Sequence, residues 1–238
     1  MRKVKWLAWL VSLPFVGISQ SKMDSAILSS AHAYSKNAYY QSRHLELGLY
    51  NGIYYKEYVL HQNDEGQPYF ETDQWVEGEL FYNGVHYENI PLLYDVVNDK
   101  IIIDHSVKLE LISEKIKYFV IQEHRFVLLT ANANSPIHTG FFELVYDGQS
   151  KLYAKWQKKR IEVIASRELQ VRYEDQNRIY INKDGKFHSV KTKSSVLHVL
   201  EDKKIMLKKY IKKNQLNFRG HRAESIAKIM AFYESGAE

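Results

Sequence analysis

The sequence predicts an α+β fold that is mostly β: an antiparallel meander forming a sandwich or an open barrel, with C-terminal helices packed on it. Three observations carry this. Short runs rich in β-branched and aromatic residues follow one another from about Leu45 to Val190, and such residues suit a half-buried pleated surface. Pairs of turn residues punctuate the runs, as tight hairpins require. After Lys193 the apolar spacing changes to that of a helix face.

The first element is an address. Arg2, Lys3 and Lys5 precede an apolar run from Trp6 to Ile18, broken by Ser12, Pro14 and Gly17. A positive start, a short apolar core and small residues at its end mark an export signal. Gly17 and Ser19 place cleavage between Ser19 and Gln20. The run is shorter than the roughly twenty apolar residues that cross a bilayer. Residues 1–19 are therefore expected to be a signal peptide. Residues 20–44 are a lead-in helix or linker, with Asp24 a candidate cap.

Residues 45–192 form the expected β-domain. Strands are expected at residues 58–60, 76–82, 85–94, 101–104, 119–122, 125–129, 141–146, 152–156, 169–173 and 179–181. Asn83 with Gly84, Asn98 with Asp99, Asp147 with Gly148 and Asp184 with Gly185 supply turns, because such pairs accept positive φ. No stretch alternates strand and helix as a parallel sheet needs. Residues 193–238 form the expected helical segment. Val196, Leu197 and Leu200 mark a short helix. Asp202 can cap a second, with Leu207, Tyr210 and Ile211 on its apolar face. A third runs from about Ala223 to Tyr233, with Ile226, Ile229, Met230 and Tyr233 at helical spacing.

Composition narrows the function classes. A hydrophobic fraction of 45% and a charged fraction of 26% belong to a globular chain. The absence of cysteine removes disulfides, thiolate metal sites and cysteine nucleophiles. The net charge is +5, but removing the three cations of the leader leaves 30 Lys and Arg against 28 Asp and Glu, a net +2. Nucleic acid is therefore not an expected partner. No apolar run after the leader reaches membrane-spanning length. The 18 tyrosines are read first as strand and core residues, and second as stacking platforms for sugars.

The chain resembles a family of uncharacterised secreted, β-rich proteins of Bacteroidetes. The resemblance rests on Leu49, Tyr50, Asn51 and Gly52; on Gln67, Pro68, Tyr69 and Phe70; and on Gly84, Tyr87, Pro91, Leu92, Leu93, Tyr94 and Asp95. Towards the end it rests on Leu197, Leu200, Lys203, Lys204, Tyr210, Ile211 and Asn214. It implies export to the periplasm, the outer membrane or beyond, and implies no activity.

Familiar catalytic motifs are missing: no Gly-x-Ser-x-Gly elbow, no His-Glu-x-x-His and no phosphate-binding glycine loop occurs. The hairpin around Asn83 and Gly84 is the most informative local feature. Strict pairing sets Leu80 against Tyr87 and Glu79 against Glu88. One face then carries Trp75, Glu77, Glu79, Phe81, His86 and Glu88. Glu79 and Glu88 are the candidate catalytic pair of a glycan-active hydrolase, or candidate ligands for Ca²⁺. Trp75, Phe81 and His86 are the candidate ligand-binding residues beside them. A solvated outer face is the plainer reading. Asp104 beside His105, and Ser135 near His138, invite thoughts of an oriented base or nucleophile; turn chemistry accounts for both. Lys203, Lys204, Lys208, Lys209, Lys212 and Lys213 line one predicted helix, and Lys203, Lys204, Lys208 and Lys212 are the candidate contacts with an anionic membrane surface.

The leading expectation is a non-catalytic exported envelope protein that binds a ligand, a lipid or a protein partner. A glycan-active hydrolase and an outer-membrane adaptor or assembly module are the alternatives. No cofactor or metal is called for.

Overall fold

The computed structural model describes residues 48–59, 63–132, 135–165 and 168–236, all within one compact unit, Leu47–Glu238. The signal peptide, its cleavage between Ser19 and Gln20, the lead-in segment and Leu60 lie outside the described residues.

Eleven strands form one antiparallel sheet. Their order is β1 (Ile53–Tyr54), β5 (Leu109–Glu110), β4 (Lys100–Ile103), β3 (Val85–Asp95), β2 (Val76–Tyr82), β6 (Ile116–Ile121), β7 (His124–Leu129), β8 (Gly140–Asp147), β9 (Lys151–Lys155), β12 (Arg178–Lys183) and β13 (Lys186–Val190). The outermost strands β1 and β13 do not pair, so the sheet is not closed into a barrel. The run from β6 to β9 is a plain meander. β10 (Lys158–Ala165) and β11 (Glu168–Asp175) form a separate hairpin arm. Its base is held by backbone bonds between Glu65 and Val171 and between Tyr173 and Glu65. Near its tip Ile164 is 82% exposed.

Alternation of apolar residues puts one face of the sheet into a large aromatic core. Leu80, Tyr82, Leu92, Tyr94, Ile101, Phe119, Phe126 and Phe141 belong to it. Phe119 and Phe126, directly paired across β6 and β7, stack with ring centroids 4.7 Å apart. The opposite face carries a smaller cluster of Tyr55, Tyr69, Leu93 and Ile102, against which Tyr58 and Trp75 pack. Residues 55–59, expected in part to be a strand, are not one. Tyr58 instead sends its hydroxyl to the buried Asp95.

Three helices follow: α1 (Lys193–Val199), α2 (Lys204–Lys213) and α3 (Arg222–Ser235). Thr192 opens α1 with a reciprocal cap: its Oγ1 accepts from Ser195 N at 3.2 Å, and Ser195 Oγ accepts from Thr192 N at 3.0 Å. Asp202 does not cap α2 as expected. It lies in a 3₁₀ turn, Glu201–Lys203, where its carboxylate accepts from Lys183 Nζ and from Tyr233 Oη. The helices bury Leu197, Leu207, Ile211, Ile226, Ile229 and Met230 against Leu152, Ala154, Ile179, Ile181 and Val190 of β9, β12 and β13. Glu234 near the end of α3 fastens this layer. Its carboxylate accepts from Tyr146 Oη at 3.0 Å and from the turn amides of Gln149 and Ser150 at 3.0 and 2.7 Å.

Candidate functional site

Pairing across the hairpin holds where the turn fixes it. Leu80, Phe81 and Tyr82 sit opposite Tyr87, His86 and Val85. Beyond them the register shifts between Gly78 and Leu80, and Gly78 pairs with Ile90. The expected one-to-one opposition of Glu79 and Glu88 is therefore replaced by a bulge, with Glu88 and Asn89 together facing Glu79. Asn89 has a φ of +55°, which turns the bulged strand.

The exposed His86 stands between the two carboxylates. Its Nε2 lies 3.5 Å from Glu79 Oε2, and its Nδ1 lies 3.7 Å from Glu88 Oε1. Beside it runs a row of flat side chains. Phe81 stacks on Tyr118 at 5.7 Å, His86 tilts over the same ring at 6.1 Å, and Arg125 covers it at 4.0 Å. Glu79, Glu88, Phe81 and His86 are thus brought together. Trp75 is not among them. It joins the Tyr55 and Tyr69 cluster, with Lys108 over its ring. Among the described residues no group of three or more His, Asp or Glu is placed to hold a metal ion.

A second constellation was missed by the sequence reading. Glu143 on β8 is only 7% exposed. One oxygen lies 2.7 Å from His124 Nδ1, and the other accepts from Trp156 Nε1 at 2.6 Å. Glu71 stands 3.8 Å from the other imidazole nitrogen. The hydrogen bond to Glu143 raises the His124 pKa, burial opposes this, and the charges of Glu143 and Glu71 add to the rise. Phe70 packs edge-on against both His124 and Trp156. This geometry orients the His124 imidazole.

The remaining candidates resolve into structural parts. His105 stacks on Tyr50 at 4.0 Å, and Ser135 Oγ accepts from Ile137 N within its turn. Neither needs a catalytic role.

The lysine face of α2 is partly as expected. Lys204, Lys208, Lys209, Lys212 and Lys213 are exposed, spread over about half of the helix circumference at 100° per residue. Lys203 leaves this face. Its Nζ donates to Tyr233 O at 2.8 Å and lies over the Tyr233 ring, because the 3₁₀ turn rotates it towards α3. Ile205, 76% exposed, sits in the middle of the lysines. Leu207 and Ile211 hold the opposite face against the sheet layer.

Comparison with known protein families, with characterised proteins and with solved structures finds no match.

Proposed function

We propose that the protein is a non-catalytic, exported envelope protein that attaches peripherally to an anionic lipid surface through the exposed face of α2. One observation carries the reading. Five lysines of a single ten-residue helix are exposed around an exposed isoleucine, and none is ion-paired to an acidic side chain among the described residues. A face built only for solubility mixes both signs of charge. An unmixed face suits phosphate-bearing headgroups, and Ile205 is placed to enter the boundary beneath them. No helix among the described residues is long and apolar enough to cross a membrane, so attachment from one side is the form this contact takes.

Each lysine near an anionic surface contributes about 1 kcal/mol. Neutralising Lys204, Lys208 and Lys212 together is therefore expected to weaken vesicle binding about a hundredfold. Co-sedimentation with phosphatidylglycerol vesicles tests this, with phosphatidylcholine vesicles as the neutral reference. Binding should fall steeply with added salt, because the contact is exposed and screened. Retention that ignores both salt and the triple substitution would rule the reading out.

A further inference from the structure

A cavity of about 650 Å³ opens where the turn from β11 to β12 meets the end of β13 and the first residue of α3. Arg178 opens β12, Lys191 follows β13, and Arg222 opens α3. The two ends of the β12–β13 hairpin and the start of α3 thus each supply one cation. None of the three is ion-paired among the described residues. One carboxylate, Asp175, shares the cavity and also faces Lys158 on its other side.

The Arg222 Nε is buried and has no hydrogen-bond partner among the described residues. Buried donors of charged groups are rarely left so, because desolvation without a partner is costly. Arg222 is half-buried and lines the cavity, so its charge is partly desolvated where an anion would meet it. The turn opposite is fixed in advance: Gln157 N donates to Asn177 Oδ1 at 3.0 Å, and Gln176 N donates to Gln157 O at 2.7 Å. Binding there requires little loop ordering.

We infer that this cavity binds a phosphomonoester carried on a sugar-sized ligand. Three cations against one shared carboxylate leave an excess of about two positive charges, which matches the charge of about −1.5 to −2 on a phosphomonoester at neutral pH. Guanidinium forks fit its oxygens in pairs. The volume falls within the range of small-molecule sites, about 300–1,000 Å³. Asn177 and Ser189 offer donors and acceptors for hydroxyl groups. No residue of this cavity belongs to the lysine face of α2, so the two proposals stand or fall separately.

Calorimetric titration of the whole protein with glucose 6-phosphate tests the inference, with glucose, glucose 6-sulfate and inorganic phosphate as the other arms. Saturable binding of the phosphate ester is expected, with none of glucose and weaker binding of the singly charged sulfate. Arg222→Gln and Arg178→Gln should each weaken it at least about tenfold, and Arg222→Lys should also weaken it by removing the planar guanidinium fork while keeping the charge. Arg178 is exposed, so its substitution carries the test even if Arg222→Gln lowers stability. Lys208→Gln with Lys212→Gln should leave binding unchanged. The inference is overturned by absence of saturable binding, by equal binding of glucose, or by a loss that follows the α2 lysines instead. Inorganic phosphate bound as tightly as the ester overturns the sugar-sized part of it.

Discussion

Each carboxylate oxygen of Glu143 has its own donor, His124 Nδ1 on one side and Trp156 Nε1 on the other. The imidazole is held more basic in the folded chain than in the unfolded one, first by that hydrogen bond. The folded state therefore binds the proton more tightly. Its stabilisation is complete below the ordinary histidine pKa of about 6.5 and is lost as pH rises through the raised folded value. Stability should accordingly decline on going from slightly acid to alkaline conditions, and His124→Gln should flatten that decline. Urea unfolding at a series of pH values, with the His124 proton resonance followed in parallel, measures both. Asp95 makes a stronger demand. It is fully buried and accepts from Tyr55 Oη, Tyr58 Oη, Asn98 Nδ2 and the amides of Val97 and Asn98. Burial, and then the Asp95 charge, raise the pKa of both tyrosines. Asp95→Ala strands these donors and should destabilise by about 3 kcal/mol or more in denaturant unfolding. Neither network was legible in the sequence. The partners that make each one are distant along the chain, 19 residues from His124 to Glu143 and 40 from Tyr55 to Asp95; only the Asp95 bonds to Val97 and Asn98 are local. Arg178 and Lys191 stand at the two ends of the hairpin that Asp184 and Gly185 turn, and only Arg222 is brought to them by the fold.

At the scale of elements, hairpins were readable where the turn residue itself requires positive φ. Asn83 and Gly84 have φ of +50° and +84°, and Asp184 and Gly185 have +53° and +75°. Gln122 and Glu123 make an equally tight turn at +49° and +69° without either turn-forming residue, and there the core pairing of Phe119 with Phe126 sets the register instead. The arm strand β10 escaped notice because Lys158, Lys159, Arg160 and Glu162 dilute the alternation of Ile161 and Val163. A bulge is equally silent, since an extra residue resets the period of two without changing its composition. Gly78, next to the bulge, lets β6 approach β2 closely. A Cβ there would overlap the Val120 carbonyl and stand 2.9 Å from Leu92 Cδ1. Gly78→Ala should therefore destabilise by about 1–3 kcal/mol, seen as a lower urea midpoint with an unchanged slope. A neutral effect would mean that β2 and β6 separate more easily than their pairing indicates.

For the whole molecule, the question is whether residues 193–238, expected as a helical segment packed on the β-domain, fold with it as one cooperative unit. The core under the helices answers it physically. Val196, Leu197, Leu200, Leu207, Ile211, Ile226, Ile229 and Met230 are buried in the cluster that contains Leu152, Ala154, Ile179, Ile181 and Val190 of the sheet, and Trp156 packs against this cluster and the main aromatic core alike. Burying one such side chain stabilises by about 1.5–3 kcal/mol, so eight from the helices rival the about 5–15 kcal/mol net stability of an entire domain. The sheet alone would also expose the apolar sides of β9, β12 and β13. A chain ending at Thr192 should therefore lose its sharp thermal transition and bind a hydrophobic dye, while the full chain should unfold in one step by far- and near-ultraviolet circular dichroism. A cooperative transition in the shortened chain would make the helices a separate domain, and would place the lysine face of α2 on an appendage rather than on the folded body that steadies it.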